Sequence, residues 1–141
     1  MILRDFKIND LERNGGYKNL PDLHQKMLRE SLLETNSIAY TLEHDDQIIC
    51  SGGFIEYWPG FMEGWGLISD LIFKYPIATH KAVKTIIPML EDKYKVRRLQ
   101  TVCLKIAGHT KWLERLGFKF EGEMPGFGIN GETYLRYARV K

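Results

Sequence analysis

The stretch Ala107–Phe118, Ala-Gly-His-Thr-Lys-Trp-Leu-Glu-Arg-Leu-Gly-Phe, constrains this chain more than any other. Trp112, Leu113 and Leu116 recur at helical spacing and share one face of a short helix. Gly117 stops that helix, because the left-handed residue after a last turn is cheap only for glycine. Phe118 then opens an extended run, Lys119–Glu123, and Tyr134–Val140 supplies another. The chain therefore finishes as a short helix followed by two strands.

The remainder reads as an alternation of strands and helices. Ile2–Lys7 is a first strand, and Asn14-Gly15-Gly16 is a loop. Asp22 with Gln25 three residues on has the spacing of a capping box. Leu23, Met27, Leu28 and Leu32 then form a helical stripe. Ile38–Glu43 alternates as a strand, with Ile38, Tyr40 and Leu42 on one face. Asp45-Asp46 supplies turn chemistry, and Ile48–Trp58 returns to make a hairpin. Gly52-Gly53 inside that strand implies a bulge or a close backbone approach. Pro59-Gly60 breaks the chain, and Trp65–Ile72 is a third apolar run. Pro76 suits the first turn of a long helix, in which Val83, Ile86, Ile87, Leu90 and Tyr94 keep their spacing. Pro88 removes one backbone bond inside it, so a kink is expected. Arg98–Leu104 is the next strand, and a strand–helix–strand unit of this length implies a right-handed parallel crossover. The expected order is β-α-β-β-β-α-β-α-β-β.

With 141 residues the chain fits one α/β domain, spanning 1–141. Its net charge of +2 is too mild to imply a nucleic-acid partner. Cys50 and Cys103 each sit in an apolar strand pattern, as small hydrophobes do. No Cys and His spacing suits a metal. No apolar run approaches the roughly 18 residues that a membrane span needs, and the N-terminus is no signal peptide. A soluble, cytoplasmic protein is the expectation.

This order of elements, with the helix that ends Leu116-Gly117-Phe118, resembles the GNAT superfamily of N-acyltransferases over Ile2 to Val140. The resemblance implies a mixed central sheet of about six to seven strands, flanked by helices and splayed between strands 4 and 5. It implies acetyl-CoA as co-substrate, with its pantetheine arm in that gap and its pyrophosphate where strand 4 turns into the long helix. Helix N-termini carry unpaired donors and partial positive charge, which suits an anion. The residues carried over to the coenzyme are Leu71, Ile72, Phe73, Lys74, Thr79, His80, Lys81 and Trp112. A backbone N–H around Leu71 would hold the oxyanion of the intermediate. Short strings (Trp65, Ser69, Lys74-Tyr75-Pro76, Lys111-Trp112) are also similar to small GNAT-like proteins of tailed bacteriophages. That likeness would place the protein in a host cytoplasm or a virion.

Two positions depart from the family pattern. The phosphate loop, usually rich in Arg and Gly, reads Lys74-Tyr75-Pro76-Ile77-Ala78-Thr79-His80-Lys81 and has no glycine. Side chains of Lys74, Thr79, His80 and Lys81 would have to replace backbone donors. The position that often carries a proton-donating Tyr holds Leu113, and an Asn position upstream holds Ile106. His109, one turn earlier, is the candidate acid, because imidazole titrates near neutral pH. Tyr134 and Tyr137 are further candidates. Amine attack on a thioester also needs a neutral amine and hence a base. Asp70 is the candidate, with Glu56 and Glu63 as alternatives.

The basic cluster Lys93-Tyr94-Lys95-Val96-Arg97-Arg98 reads as cations complementing a helix C-terminus, or as a phosphate contact. In the family, the loop Met124–Gly131 borders the acceptor site, so Phe127 either shapes that site or forms an exposed tip. Tyr57, Trp58, Phe61 and Trp65 read as core, with an acceptor cleft or a protein interface as the alternative. Two functions follow. One is transfer of an acetyl group to an amine on an unknown protein or small molecule, with a homodimer admitted. The other is a catalytically silent GNAT-like binding or structural protein, in a phage particle or against a host defence.

Overall fold

A computed structural model describes residues 1–34 and 36–141. The alternating runs become seven strands of one sheet: β1 (Ile2–Asp5), β2 (Ser37–His44), β3 (Gln47–Trp58), β4 (Phe61–Ile68), β5 (Arg98–Leu104), β6 (Lys119–Met124) and β7 (Tyr134–Val140). Their order is β1-β2-β3-β4-β5-β7-β6. Every neighbouring pair is antiparallel except β4–β5. A parallel neighbour needs a long crossover, and helix α4 (Pro76–Lys93) supplies it. The other helices are α1 (Asp10–Arg13), α2 (Gly15–Lys18), α3 (Asp22–Glu34) and α5 (Ala107–Arg115).

Both faces of the sheet are covered, and period-2 alternation sorts the side chains between them. On one face Phe54, Met62, Leu99, Leu135 and Tyr137 pack with Ile87 and Leu90 of α4 and with Leu116 and Phe118 beyond α5. On the other, Leu67 and Trp65 of β4 pack with Leu11, Tyr17 and Leu32 from α1–α3. Beneath α1, the carboxylate of Asp10 is 1% exposed. It accepts from both terminal guanidinium nitrogens of Arg4 at 2.9 Å, from Lys7 N–H at 2.8 Å and from the Thr41 hydroxyl at 2.8 Å. Burial alone would raise the pKa of Asp10, but these hydrogen bonds outweigh it and hold it at about 2.

The ending of α5 follows the sequence. Gly117 has φ +90°, Phe118 N–H donates to the Leu113 carbonyl, and Gly117 N–H donates to that of Glu114. That is a Schellman motif, with Phe118 and Leu113 in the same apolar cluster. The end of α4 has the same two bonds, Val96 N–H to Glu91 O and Lys95 N–H to Asp92 O, with Lys95 at φ +53° in the glycine position. The β2–β3 turn also matches: Asp45 and Asp46 have φ +49° and +60°, both positive as a two-residue hairpin of this twist requires.

Several elements differ from the sequence reading. Pro59-Gly60 is the turn of a hairpin rather than a break, so β4 starts at Phe61. β4 ends at Ile68 instead of Ile72, because the Ser69 hydroxyl donates to the carbonyls of Ile48 and Ile49 and accepts from Leu71 N–H. Asp70–Phe73 is consequently a 3-10 turn. The capping box at Asp22 and Gln25 is not formed: Asp22 lies inside α3, and the Gln25 amide donates to the Leu20 carbonyl. Leu23 and Met27 of the expected stripe are exposed. The short helices α1 and α2 carry too few turns to show a period. Gly52-Gly53 is a close approach and not a bulge: a Cβ at Gly52 would lie 2.7 Å from the Trp65 carbonyl, and one at Gly53 would overlap that of Ile38. Helix α4 continues through Pro88.

Candidate active site

The parallel seam between β4 and β5 is short. It pairs Phe61 with Arg98, Met62 with Leu99 and Glu63 with Gln100, and goes no further. One side-chain bridge closes its end, from the Thr101 hydroxyl to the Gly64 carbonyl at 3.0 Å. Beyond it β4 stays paired with β3 as far as Ile68, and β5 with β7 as far as Leu104. The two strands therefore part while each keeps its other partner. Because Gly64 turns its carbonyl to β5, Gly66 two residues on presents its backbone N–H and C=O groups to the gap and Ile68 its N–H, while the Ile68 carbonyl lies against Gly16 of α2. Ser69 N–H, one residue later, bonds back to β3. A Cβ on Gly66 would meet nothing within 4 Å, so no side chain of β4 plugs the gap there.

At the open end lies the start of α4. Pro76 occupies N1, and Thr79 N–H bonds the Tyr75 carbonyl, which leaves the amides of Ile77 and Ala78 unspent. Lys74 and Lys81 are exposed beside them, and Lys74 Nζ lies 5.5 Å from the Tyr75 ring centroid. The Thr79 hydroxyl is buried and donates to the Tyr75 carbonyl, so it can only accept from a ligand. His80 Nδ1 accepts from Trp112 Nε1 at 3.1 Å. That bond joins the second turn of α4 to the middle of α5 and leaves Nε2 as the free edge of the imidazole. Phe73 is exposed, and Ile72 N–H is spent on the Ser69 carbonyl. Leu71 N–H, expected to face an oxyanion, is likewise spent on the Ser69 hydroxyl. The amides of β4 that face the gap are those of Gly66 and Ile68.

Asp70 is exposed at the start of the 3-10 turn and makes no side-chain hydrogen bond among the described residues. His109 is exposed in the first turn of α5, also without a side-chain partner among them. Leu113 packs into the core, and Tyr137 is buried with its hydroxyl on Glu114. Tyr134 is different. It lies opposite Leu104 at the open end of β5, on the α1–α3 face, with its ring 5.2 Å from Phe127 of the β6–β7 loop. Burial, then the nearby Glu132 carboxylate, pushes its hydroxyl pKa up.

At the closed end Glu63 sits on that same face. One carboxylate oxygen accepts from Arg136 at 2.8 Å and the other from the Tyr57 hydroxyl at 2.7 Å. The bond to Glu63, more than burial, raises the Tyr57 pKa to about 12. Trp65 follows on the same face. Its indole N–H is buried without a partner, the one such side-chain atom among the described residues. Tyr57, Glu63 and Trp65 are each singled out in the sequence, but the pairing of Glu63 with Arg136 and the orphan indole N–H are not legible there, because both depend on which strand lies across from β4.

No protein-family model matches the sequence, and no curated protein is similar to it. Solved structures do match in shape. A spermidine N-acetyltransferase from Vibrio cholerae aligns with TM-score 0.75 at 14% identity, covering 99% of this chain and 95% of that one. A ribosomal-protein-S5-alanine acetyltransferase from Vibrio fischeri aligns with TM-score 0.72 at 15% identity, over 98% and 91%. A GNAT-family acetyltransferase from Bacillus anthracis aligns with TM-score 0.70 at 15% identity, over 98% and 93%. The architecture is that of the GNAT acetyltransferases: a seven-stranded mixed sheet with one parallel pair, flanked by helices. Among the described residues no helix is long and apolar enough to cross a membrane, and no cluster of side chains suits a metal.

Proposed function

We propose that this protein transfers an acyl group from a coenzyme A thioester to an amine, with acetyl-CoA as the simplest donor. The observation that carries the reading is the seam of three pairs that opens onto the unpaired backbone edge of Gly66 and Ile68. A sheet gives up ladder hydrogen bonds only where something else satisfies them, and the amide-bearing arm of coenzyme A has the donors and acceptors to do so. The phosphates fall to the Ile77 and Ala78 amides, with Lys74 and Lys81 supplying charge. Without glycine, this helix start relies on those cations more than on close backbone approach.

The amine nitrogen attacks the thioester carbonyl, a C–N bond forms, the C–S bond breaks, and the sulfur leaves as thiolate. A base needs a free lone pair. Both oxygens of Glu63 are occupied, whereas Asp70 is unpaired, so Asp70, or a water it holds, takes the amine's proton. Two groups compete to protonate the thiolate. His109 is exposed, while Tyr134 is partly buried and keeps its proton through neutral pH, which makes Tyr134 the stronger candidate. The orphan Trp65 N–H seeks a hydrogen-bond acceptor that a bound substrate would supply. Neighbours of this shape act on a polyamine in one case and on a ribosomal protein in another, and for this chain the acceptor is assigned only as an amine.

The test is thermal stability with and without acetyl-CoA. A ligand at 100 times its Kd stabilises the folded state by about 2.7 kcal/mol. A clear rise in Tm, with a radiolabelled acetyl group recovered on an amine from a panel of polyamines and peptides, supports the reading. No rise at millimolar acetyl-CoA refutes it and leaves the catalytically silent form of the fold.

A further inference from the structure

A cavity of about 160 Å³ lies between the sheet, α4 and the face of α5 that carries Trp112 and Leu113. Its floor lacks side chains where three glycines coincide. Gly52 on β3 pairs with Gly66 on β4, and Gly64 follows one step along the same face. Above them stand Val83, Ile86 and Ala82 of α4. Thr101 and Gly64, which form the last bridge of the seam, are both in its wall, so the cavity is continuous with the parting of β4 and β5. Well-packed interiors leave few voids larger than a water molecule, so a void this size beside a candidate site sets it apart from the rest of the core. An apolar cavity of about 150 Å³ stays dry and holds a six-carbon ring.

We propose that this cavity receives the hydrocarbon tail of the donor thioester, so that the preferred transferred group is a butanoyl-to-hexanoyl chain rather than acetyl. The inference rests on reading the split as a coenzyme A slot. The bond changes are those already given, with R–CO in place of CH₃–CO, and they need no further reactant. Extension beyond six carbons exceeds the void and brings the tail against Leu90 and Leu99.

The experiment is calorimetric titration of the purified protein with acetyl-, butanoyl-, hexanoyl- and dodecanoyl-CoA. Each buried methylene contributes about four-fold in affinity. Hexanoyl-CoA is therefore expected to bind at least ten-fold tighter than acetyl-CoA, with no gain at dodecanoyl. In Val83→Phe, which fills the void, the ratio of hexanoyl to acetyl affinity is expected to fall to about one. In Ile86→Ala, which enlarges it, the optimum is expected to move to a longer chain. Equal affinities for acetyl- and hexanoyl-CoA in the unmodified protein would overturn the proposal while leaving the slot intact. If no thioester binds, the slot reading falls and this inference with it.

Discussion

Replacing Asp10 by Asn removes one negative charge from a buried ionic site, one of two among the described residues whose carboxylate is almost fully enclosed. The carboxylate accepts four hydrogen bonds, two from Arg4 and one each from Lys7 N–H and Thr41. An Asn amide offers one acceptor oxygen, and turns N–H groups toward donors on its other side. Breaking a buried pair costs about 3–5 kcal/mol. Arg4 is partly solvated and keeps Glu43 at 3.2 Å, so the lower end applies, about 3 kcal/mol, or roughly 10 °C in Tm. Part of that loss depends on pH. The folded pKa of about 2 lies below the ordinary 3.8, a difference of about 2 kcal/mol. A depressed carboxylate stabilises fully above its unfolded pKa and loses that contribution as pH falls through the folded one. The gap between wild type and Asp10→Asn, measured by urea denaturation, should hold at about 3 kcal/mol from pH 7 to 5. It should shrink between pH 4 and 2 to about 1 kcal/mol. A gap under about 0.5 kcal/mol at pH 7, or one that does not narrow in acid, would refute the claim that the charge itself holds α1 on the sheet.

Gly117→Ala places a side chain at φ +90° and drives it into the Arg139 guanidinium, which bridges Glu91 and the Leu116 carbonyl. A loss of about 2 kcal/mol is expected on denaturation. Lys95→Gly relieves a left-handed lysine in the equivalent position after α4, with an expected gain of about 0.5–1 kcal/mol. A Tm that stays put or falls would count against the strain. Asp70→Asn should lower turnover at least ten-fold while leaving the Tm rise with acetyl-CoA intact, and unchanged turnover would remove Asp70 as base.

What the sequence made readable was local. The Leu116-Gly117-Phe118 stop, the Asp45-Asp46 turn and the Pro76 helix start are each decided by one or two residues' backbone preferences, and each appears as read. The end of β4 was misplaced because the apolar run carries on to Phe73, while Ser69 diverts its hydroxyl to carbonyls twenty residues back. No window along the chain contains that contact. The same holds for the site. Asp70, His80 and Trp112 were nominated by position within a resemblance, yet the bond joining His80 to Trp112 spans 32 residues. The Glu63–Arg136 pair spans 73. Tyr134 reaches the open end of the gap only because β7 lies beside β5.

The parallel seam has one more consequence. Three rungs, one hydroxyl bridge and the Glu63–Arg136 pair at the closed end join the edges of a four-stranded leaf and a three-stranded leaf, and α4 is the covalent strap between them. A molecule built this way bends along that line more readily than across either leaf. An occupant that bonds to the bare edge of β4 adds rungs where the chain itself has none. Loading should therefore slow amide hydrogen exchange at Gly66 and Ile68 first, and only then in the strands on either side.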